Sequence, residues 1–301
     1  MFIKLRKKYG LGYRSITLLT FFIGLWGFSQ QNSDFMGVIK LNDSSFISYR
    51  IAFEIKNDSI SGYSITDMGG PHETKSNLEG FYNEESRELS FQEANIIYTK
   101  SPIIENDFCF VNFKGRVKDI YDVEEIEGIF RGLYSDGQSC LDGDIKMVSI
   151  EKIKKKAEKV DRKIQRVKRL DEDIKKKVSL AKTMDTLSMN IIASNENLNI
   201  LTSDEEIELT IYDAGKEDDD RIDLIINGKK ILENFVVTRE KKIIPIKLKD
   251  EQTQIDVVAL NVGTSPPNTV KIHFEDSRNY VTTLTNLKEG EKAGINIVKR
   301  K

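Results

Sequence analysis

Two histidines occur in the whole chain, and one of them sits where an imidazole could act. His72 lies in Asp67-Met-Gly-Gly-Pro-His72-Glu73-Thr-Lys75, a glycine-rich loop that carries an acid, an imidazole and a lysine. A general acid and base could be assembled from Asp67, His72 and Glu73, which are the catalytic candidates. The signal is thin. Metal ligation there would want at least three ligands, no G-x-S-x-G elbow is present, and Gly-Gly-Pro is ordinary turn chemistry. The chain is therefore expected not to be an enzyme, and hydrolysis through the His72 loop stands third among the functional readings. His273 falls in the alternating run 270–274 and reads as a satisfied strand histidine.

A second concentration of chemistry is acidic. Residues 213–221 carry Asp213, Glu217, Asp218, Asp219 and Asp220, with Asp223 just beyond. Such carboxylate density is unfavourable unless solvent or a cation disperses it. Calcium, which takes six to eight oxygens, is the natural candidate, with Asp213, Asp218 and Asp220 as its ligands. The spacing is not that of an EF-hand loop. A plain solvated turn is the competing reading.

The N-terminus gives the address. Lys4, Arg6, Lys7, Lys8 and Arg14 precede the uncharged run 16–28, which closes on Gly27-Phe28-Ser29 and then Gln30. A basic lead, an apolar core and small residues at the exit describe an export signal over residues 1–30. A spanning helix needs about 20 apolar residues, and this core is short and interrupted by Thr17, Thr20 and Gly24. Cleavage is expected rather than retention as an anchor, placing the protein in the periplasm, on the outer-membrane surface or outside the cell. The whole chain sums to -2; the signal carries five positive and no negative charges, so the remainder is near -7. An acidic exported protein is a poor partner for nucleic acid. In an oxidising compartment Cys109 and Cys140, the only cysteines, are expected to form a disulfide.

Three segments must position these groups. Residues 34–149 alternate at period two, as in Ile47, Tyr49, Ile51, Phe53 and Ile55, with turn clusters such as Asn57-Asp58 and Ser135-Asp136-Gly137 between runs. Alternation of this kind marks half-buried strands. Glycines recur beside aromatics, as in Gly62-Tyr63, Gly80-Phe81 and Gly128-Ile129-Phe130. Glycine inside a strand implies strong curvature or room for a neighbouring ring. The expectation is a small antiparallel barrel or sandwich, either filled by side chains or open at its mouth to a small apolar ligand.

Residues 150–182 switch to helical periodicity, with Ile150, Ile153, Ala157, Val160, Ile164, Val167, Ile174, Val178 and Ala181 on one seam. The pattern predicts one long basic amphipathic helix of about 48 Å acting as a linker. Self-association through a coiled coil and attachment to an anionic polymer are its further readings. After a polar connector over 189–203, residues 190–301 return to alternation and read as a β-sandwich, with Asn227-Gly228 marking a hairpin. The predicted fold class is thus mainly β: barrel or sandwich, long helical linker, sandwich.

The run from Ile211-Tyr-Asp213 through Asp218-Asp-Asp220-Arg-Ile222-Asp-Leu224 to Asn227-Gly228, followed by Ala259-Leu-Asn261-Val-Gly263-Thr-Ser-Pro266-Pro267-Asn268-Thr269, resembles a β-sandwich module. That module recurs in uncharacterised exported proteins of Bacteroidetes-type bacteria, and the resemblance covers residues 205–299. Asp219 stands where the module usually has glycine, and Val262 where it usually has glutamate. The resemblance implies an exported or envelope setting and brings no chemistry. The function expected is a non-enzymatic, exported binding or scaffold protein with an envelope protein or glycan as partner and peripheral contact with the membrane. The alternative is calcium-dependent recognition of a glycan or protein by the C-terminal sandwich.

Overall fold

The structure, a computed structural model, describes residues 33–300 except 42–44, 103–104, 118–119, 121–122, 168, 170, 172–188, 214 and 216. The expected export signal lies outside the described residues.

Eight strands come first: β1 (Ser33–Leu41), β2 (Ser45–Lys56), β3 (Ser59–Thr66), β4 (Thr74–Asn83), β5 (Glu88–Thr99), β6 (Phe110–Arg116), β7 (Glu125–Leu133) and β8 (Ser139–Ser149). Each pairs antiparallel with the next, and β8 returns to β1, so the meander closes into a barrel. Alternation turns Tyr49, Ile51 and Phe53 inward with Leu78, Leu89, Phe91 and Phe113, all buried. The rings of Phe91 and Phe113 stack at 4.9 Å. Gly115 and Gly128 make this possible, because a Cβ on either would come within 2.6 or 2.7 Å of the Phe113 ring. Here glycine beside aromatics means space for a ring.

Cys109 and Cys140 are bonded, 31 residues apart in sequence, as the sequence suggested. Gly132 lies against both sulfurs. Closing a loop of that length stabilises by about 4 kcal/mol in the chain-entropy model. Cys140→Ser is therefore expected to lower the unfolding free energy measured by denaturant titration by about that amount, and a reductant should do the same to the wild type but nothing further to the variant.

Strand β5 changes partners along its length. Two register shifts opposite Lys75–Leu78 insert extra residues into it. Before them, Glu88–Gln92 pair with β6; after them, Tyr98 and Thr99 pair with a strand of the second half of the molecule. Bulges re-aim a strand in this way.

The linker is where the expectation fails. Helix α1 spans Ile150–Arg166, 17 residues, with Ser149 capping the Lys152 amide and Val167 extended beyond the last turn. A helix running on to residue 182 is therefore wrong at Val167, and residues 172–188 lie outside the described residues. The cause is burial. Only Ile150 and Ala157 of α1 are buried, against β1 and β8, while Val160 and Val167 are 41% and 43% exposed. A seam without a surface to cover gains nothing, and a short helix in water is marginal by itself. Nor does a helical rod hold the two halves apart. They share a sheet.

The second half holds β9 (Ile191–Ala193), β10 (Asn197–Thr202), β11 (Glu206–Tyr212), β12 (Arg221–Ile226), β13 (Lys229–Val236), β14 (Lys242–Lys247), β15 (Gln252–Ala259), β16 (Lys271–Glu275), β17 (Tyr280–Asn286) and β18 (Lys292–Lys299). One sheet runs β14-β11-β16-β17-β9; the other runs β13-β12-β15-β18-β10 and continues through β5 into the barrel. Between them lie Leu198, Leu209, Ile211, Leu224, Ile255, Val257, Ile272 and Ile295, with Tyr98 of β5 joining the same core. Asn227 and Gly228 both have positive φ, 48° and 76°, as the predicted hairpin requires. Strands β9 and β10 occupy what reads in sequence as a polar connector. They are short, and β10 interleaves Asn197 and Asn199 with its buried Leu198 and Ile200.

Candidate functional site

The junction of barrel and sandwich opens into a cleft of about 1240 Å³. It exists because β5 and β10 pair at only two positions, Asn199 with Thr99 and Ile200 with Tyr98, and then diverge. The main chain of Ile96, freed by that divergence, is taken up by two side chains: its N–H donates to Glu105 Oε1 at 2.8 Å, and its carbonyl accepts from the Arg300 guanidinium. Arg300 Nε also donates to Glu105 Oε2 at 3.0 Å. This clasp ties a barrel loop to the end of the sandwich. Also in the lining, Lys100, whose side chain is largely covered, donates to Ile191 O at 2.6 Å and lies 3.7 Å from Glu196. With those charges paired, the remaining lining is rich in amides: Asn95, Asn106, Asn195, Asn197, Asn199 and Asn296. Asn199 is structural, donating to Thr99 O and Ser101 O and accepting from Asn296.

The His72 loop borders this cleft through Pro71. His72 is exposed, and its Nδ1 lies 3.0 Å from Ser101 Oγ. The two acids are engaged elsewhere. Asp67 Oδ2 accepts from the His72 amide, while the buried Glu73 accepts from the Gly69 amide and the Tyr98 hydroxyl. Asp67 and Glu73 thus fold the loop, and neither is bonded to the imidazole ring. Ser101 is not legible in sequence as a partner because it lies 29 residues away, two residues past the end of β5.

Beside Glu73, Lys75 lies 4.0 Å from the centre of the Tyr63 ring. Burial and then the neighbouring Arg50 guanidinium lower its pKa to about 8, against the pull of Glu73. The unfolded lysine titrates near 10.4, so between about pH 8 and 10 the unfolded chain binds more protons and stability should rise with pH. Urea unfolding of wild type and Lys75→Met is expected to differ by roughly 2 kcal/mol more at pH 7.5 than at pH 10, with the variant the steadier of the two.

His273 is a satisfied strand histidine, as expected. It is buried between the rings of Tyr212 and Tyr280, with Nε2 2.6 Å from the Tyr212 hydroxyl and Nδ1 2.7 Å from Thr282 Oγ1. Burial, then Lys271 and Lys241, lowers its pKa.

The acidic loop is not a solvated fringe throughout. Asp219 is exposed and pairs with Arg221. Asp213 and Asp220 are buried, 4% and 2% exposed. Asp213 Oδ1 accepts from the Gly215 amide; Asp218 Oδ2 accepts from Ser265; Asp220 Oδ2 accepts from Thr269. Burial, with Asp218, Asp213 and Asp219 nearby, pushes the Asp220 carboxyl up to about 6. Among the described residues, no group of three or more Asp, Glu, His or Cys side chains is placed to hold a metal ion. The proposed ligand trio is therefore not brought together as three carboxylates around one point.

Residues highlighted by the resemblance meet in the same place. Asn261 accepts from the Arg221 amide and donates to Asp219 O. Gly263 has φ 53° and would put a Cβ 2.5 Å from Asp218 O. Asn268, fully buried, donates to Arg221 O and Asn261 O.

No described helix is long and apolar enough to cross a membrane. Compared with known proteins, the chain matches no family model, no curated protein and no solved structure.

Proposed function

We propose that the chain is an exported, non-enzymatic protein of the cell envelope that binds a neutral, hydroxyl-rich glycan in the cleft between barrel and sandwich. The observation that carries this reading is the abundance of side-chain amides in the lining: six asparagines and Gln252 stand there, beside Glu251 and Lys299, while Glu105 with Arg300 and Lys100 with Glu196 are mutually paired. Amides both donate and accept, so they match hydroxyl groups better than they match ions. Clefts at domain junctions are common ligand sites. Export is supported by the N-terminal sequence and by the disulfide, which belongs to oxidising compartments. Binding is favoured over turnover because Asp67 and Glu73 are held by main-chain amides and Tyr98 rather than by the His72 ring.

The test is retention of the full chain on immobilised envelope polysaccharide. The double variant Asn95→Asp and Asn106→Asp changes two exposed lining amides and leaves Asn199 untouched. Retention should fall at least tenfold, a loss of about 1.4 kcal/mol. Equal retention of variant and wild type would remove the cleft as the binding site.

A further inference from the structure

Four buried side-chain atoms among the described residues have no hydrogen-bond partner: both polar atoms of Asn190, Asp220 Oδ1 and Asn268 Oδ1. Asn190 adjoins the undescribed stretch 172–188. The other two share one knot, since Asp220 Oδ2 accepts from the amide of Thr269, the residue next to Asn268.

Both orphans are acceptors, and neither can be turned into a donor by reassigning atoms. The Asn268 amide nitrogen faces two carbonyl oxygens, Arg221 O at 3.3 Å and Asn261 O at 3.0 Å. Flipping the amide would set three oxygens against one another, so its Oδ1 is fixed by the network. Asp220 is acceptor-only when ionised. Around them stand Asp213, whose amide bonds Thr238 O beside the Val237 amide that bonds Asp220 O, and Asp218. Among the described residues, no lysine or arginine pairs with Asp213, Asp218 or Asp220; Arg221 pairs with Asp219, and Arg239 donates to Gly215 O. A buried acceptor pair could be met by water. Water leaves the charge of buried carboxylates uncompensated, which is the larger cost.

We propose that this knot is a binding site for a hard divalent cation of the calcium class. Asp220 Oδ1 and Asn268 Oδ1 are its fixed protein oxygens, and Asp213 and Asp218 supply the surrounding negative charge. Hard cations take carboxylate and amide oxygens together, with water completing the shell. The site involves no residue of the cleft, so it stands or falls separately from the glycan reading.

The experiment uses the full chain, stripped with EDTA and dialysed against radiolabelled calcium chloride in excess magnesium, with thermal melts in calcium and in EDTA. One saturable site is expected, with a dissociation constant on the order of 10⁻⁴ to 10⁻³ M, the range of extracellular modules. Calcium well above that value should raise Tm by roughly 5 °C. Asp220→Asn should weaken binding at least tenfold and abolish the Tm shift. Asp213→Asn, whose amide oxygen can still accept from Gly215, reads the charge alone and should weaken binding too, even if Asp220→Asn folds poorly. Asp136→Asn, in a remote turn, should bind as wild type does. Absence of saturable binding overturns the proposal, as does unchanged calcium affinity in Asp213→Asn. A Tm gain in Asp220→Asn that is equal in calcium and EDTA also overturns it, because it marks a site filled by water only.

Discussion

Glu93→Ala is expected to destabilise the protein by roughly 4 kcal/mol, the largest single-residue effect in the barrel. The Glu93 carboxylate lies in the barrel interior, 4% exposed, and accepts three hydrogen bonds: Ser64 Oγ at 2.6 Å, the Val111 amide at 2.8 Å and the Tyr49 hydroxyl at 3.2 Å. Its truncation orphans all three donors at about 1 to 3 kcal/mol each and opens a cavity in a packed core. The relief from no longer burying a carboxylate offsets part of this, which sets the net figure below the sum of the losses. Glu93→Gln should lose about half as much. Its single acceptor can satisfy the hydroxyls, which rotate, but its amide nitrogen then faces the Val111 N–H, which cannot.

The same residue gives a pH dependence with a definite sign. Burial raises the Glu93 carboxyl pKa against the opposing effect of its three donors. Its folded value thus lies above its unfolded one, so its contribution is fully present at acid pH and is lost as pH rises through the folded value. Wild type should therefore lose stability relative to Glu93→Gln as pH climbs above the ordinary carboxylate range. Parallel stability curves for the two proteins would contradict this account. So would a chemical-denaturation midpoint for Glu93→Ala close to that of wild type.

The second large effect is at the seam between the two halves. Arg300→Ala is expected to cost about 3 kcal/mol, because it removes one partner of a largely buried ion pair, 17% and 22% exposed, and leaves both Glu105 and the Ile96 carbonyl unmatched. Arg300→Lys should recover part of that loss, since a point charge can approach Glu105 but cannot fork to the carbonyl at the same time. The consequence is also local. With only two paired positions holding β5 to β10, hydrogen exchange should accelerate at Ile96 to Thr99 and at Leu198 to Leu201, while the centre of the barrel near Ile51 stays protected. A variant whose seam exchanges as slowly as the wild type would show that the clasp is ornamental.

Much of the barrel was legible because its physics is local. Period-two alternation predicts which side of each strand is buried, and Tyr49, Ile51 and Phe53 lie inside accordingly. The Asn227-Gly228 turn was legible for the same reason: positive φ at both positions is a property of two residues. The helix was over-read. Its apolar seam continues on paper past residue 166, but a seam stabilises a helix only where something covers it, and among the described residues the buried positions of the helix are Ile150 and Ala157, in the part that meets β1 and β8. Strands β9 and β10 were missed because each is short and bounded by polar residues, and what makes them strands is a neighbour more than 90 residues distant in sequence.

The candidate sites divide along the same line. Composition pointed to the acidic loop, and to Asp213 and Asp220 within it. Asn268 entered only within the resemblance and not as an ion ligand, because an asparagine beside Pro267 reads as turn chemistry until its amide is seen fixed between two carbonyls. His72 carried a signal that folding redirected, its two acids being drawn to main-chain amides.

By itself the sequence determined a basic and then apolar N-terminal segment, a cysteine pair, two stretches of alternating strands and a cluster of carboxylates, each legible from composition and local pattern. The tertiary structure alone decided that the barrel closes, that β5 leaves it to join the sandwich, and that a cleft lined with asparagines lies where the two diverge. Hydrogen-bond partners between distant strands are chosen by geometry that no short window of residues contains.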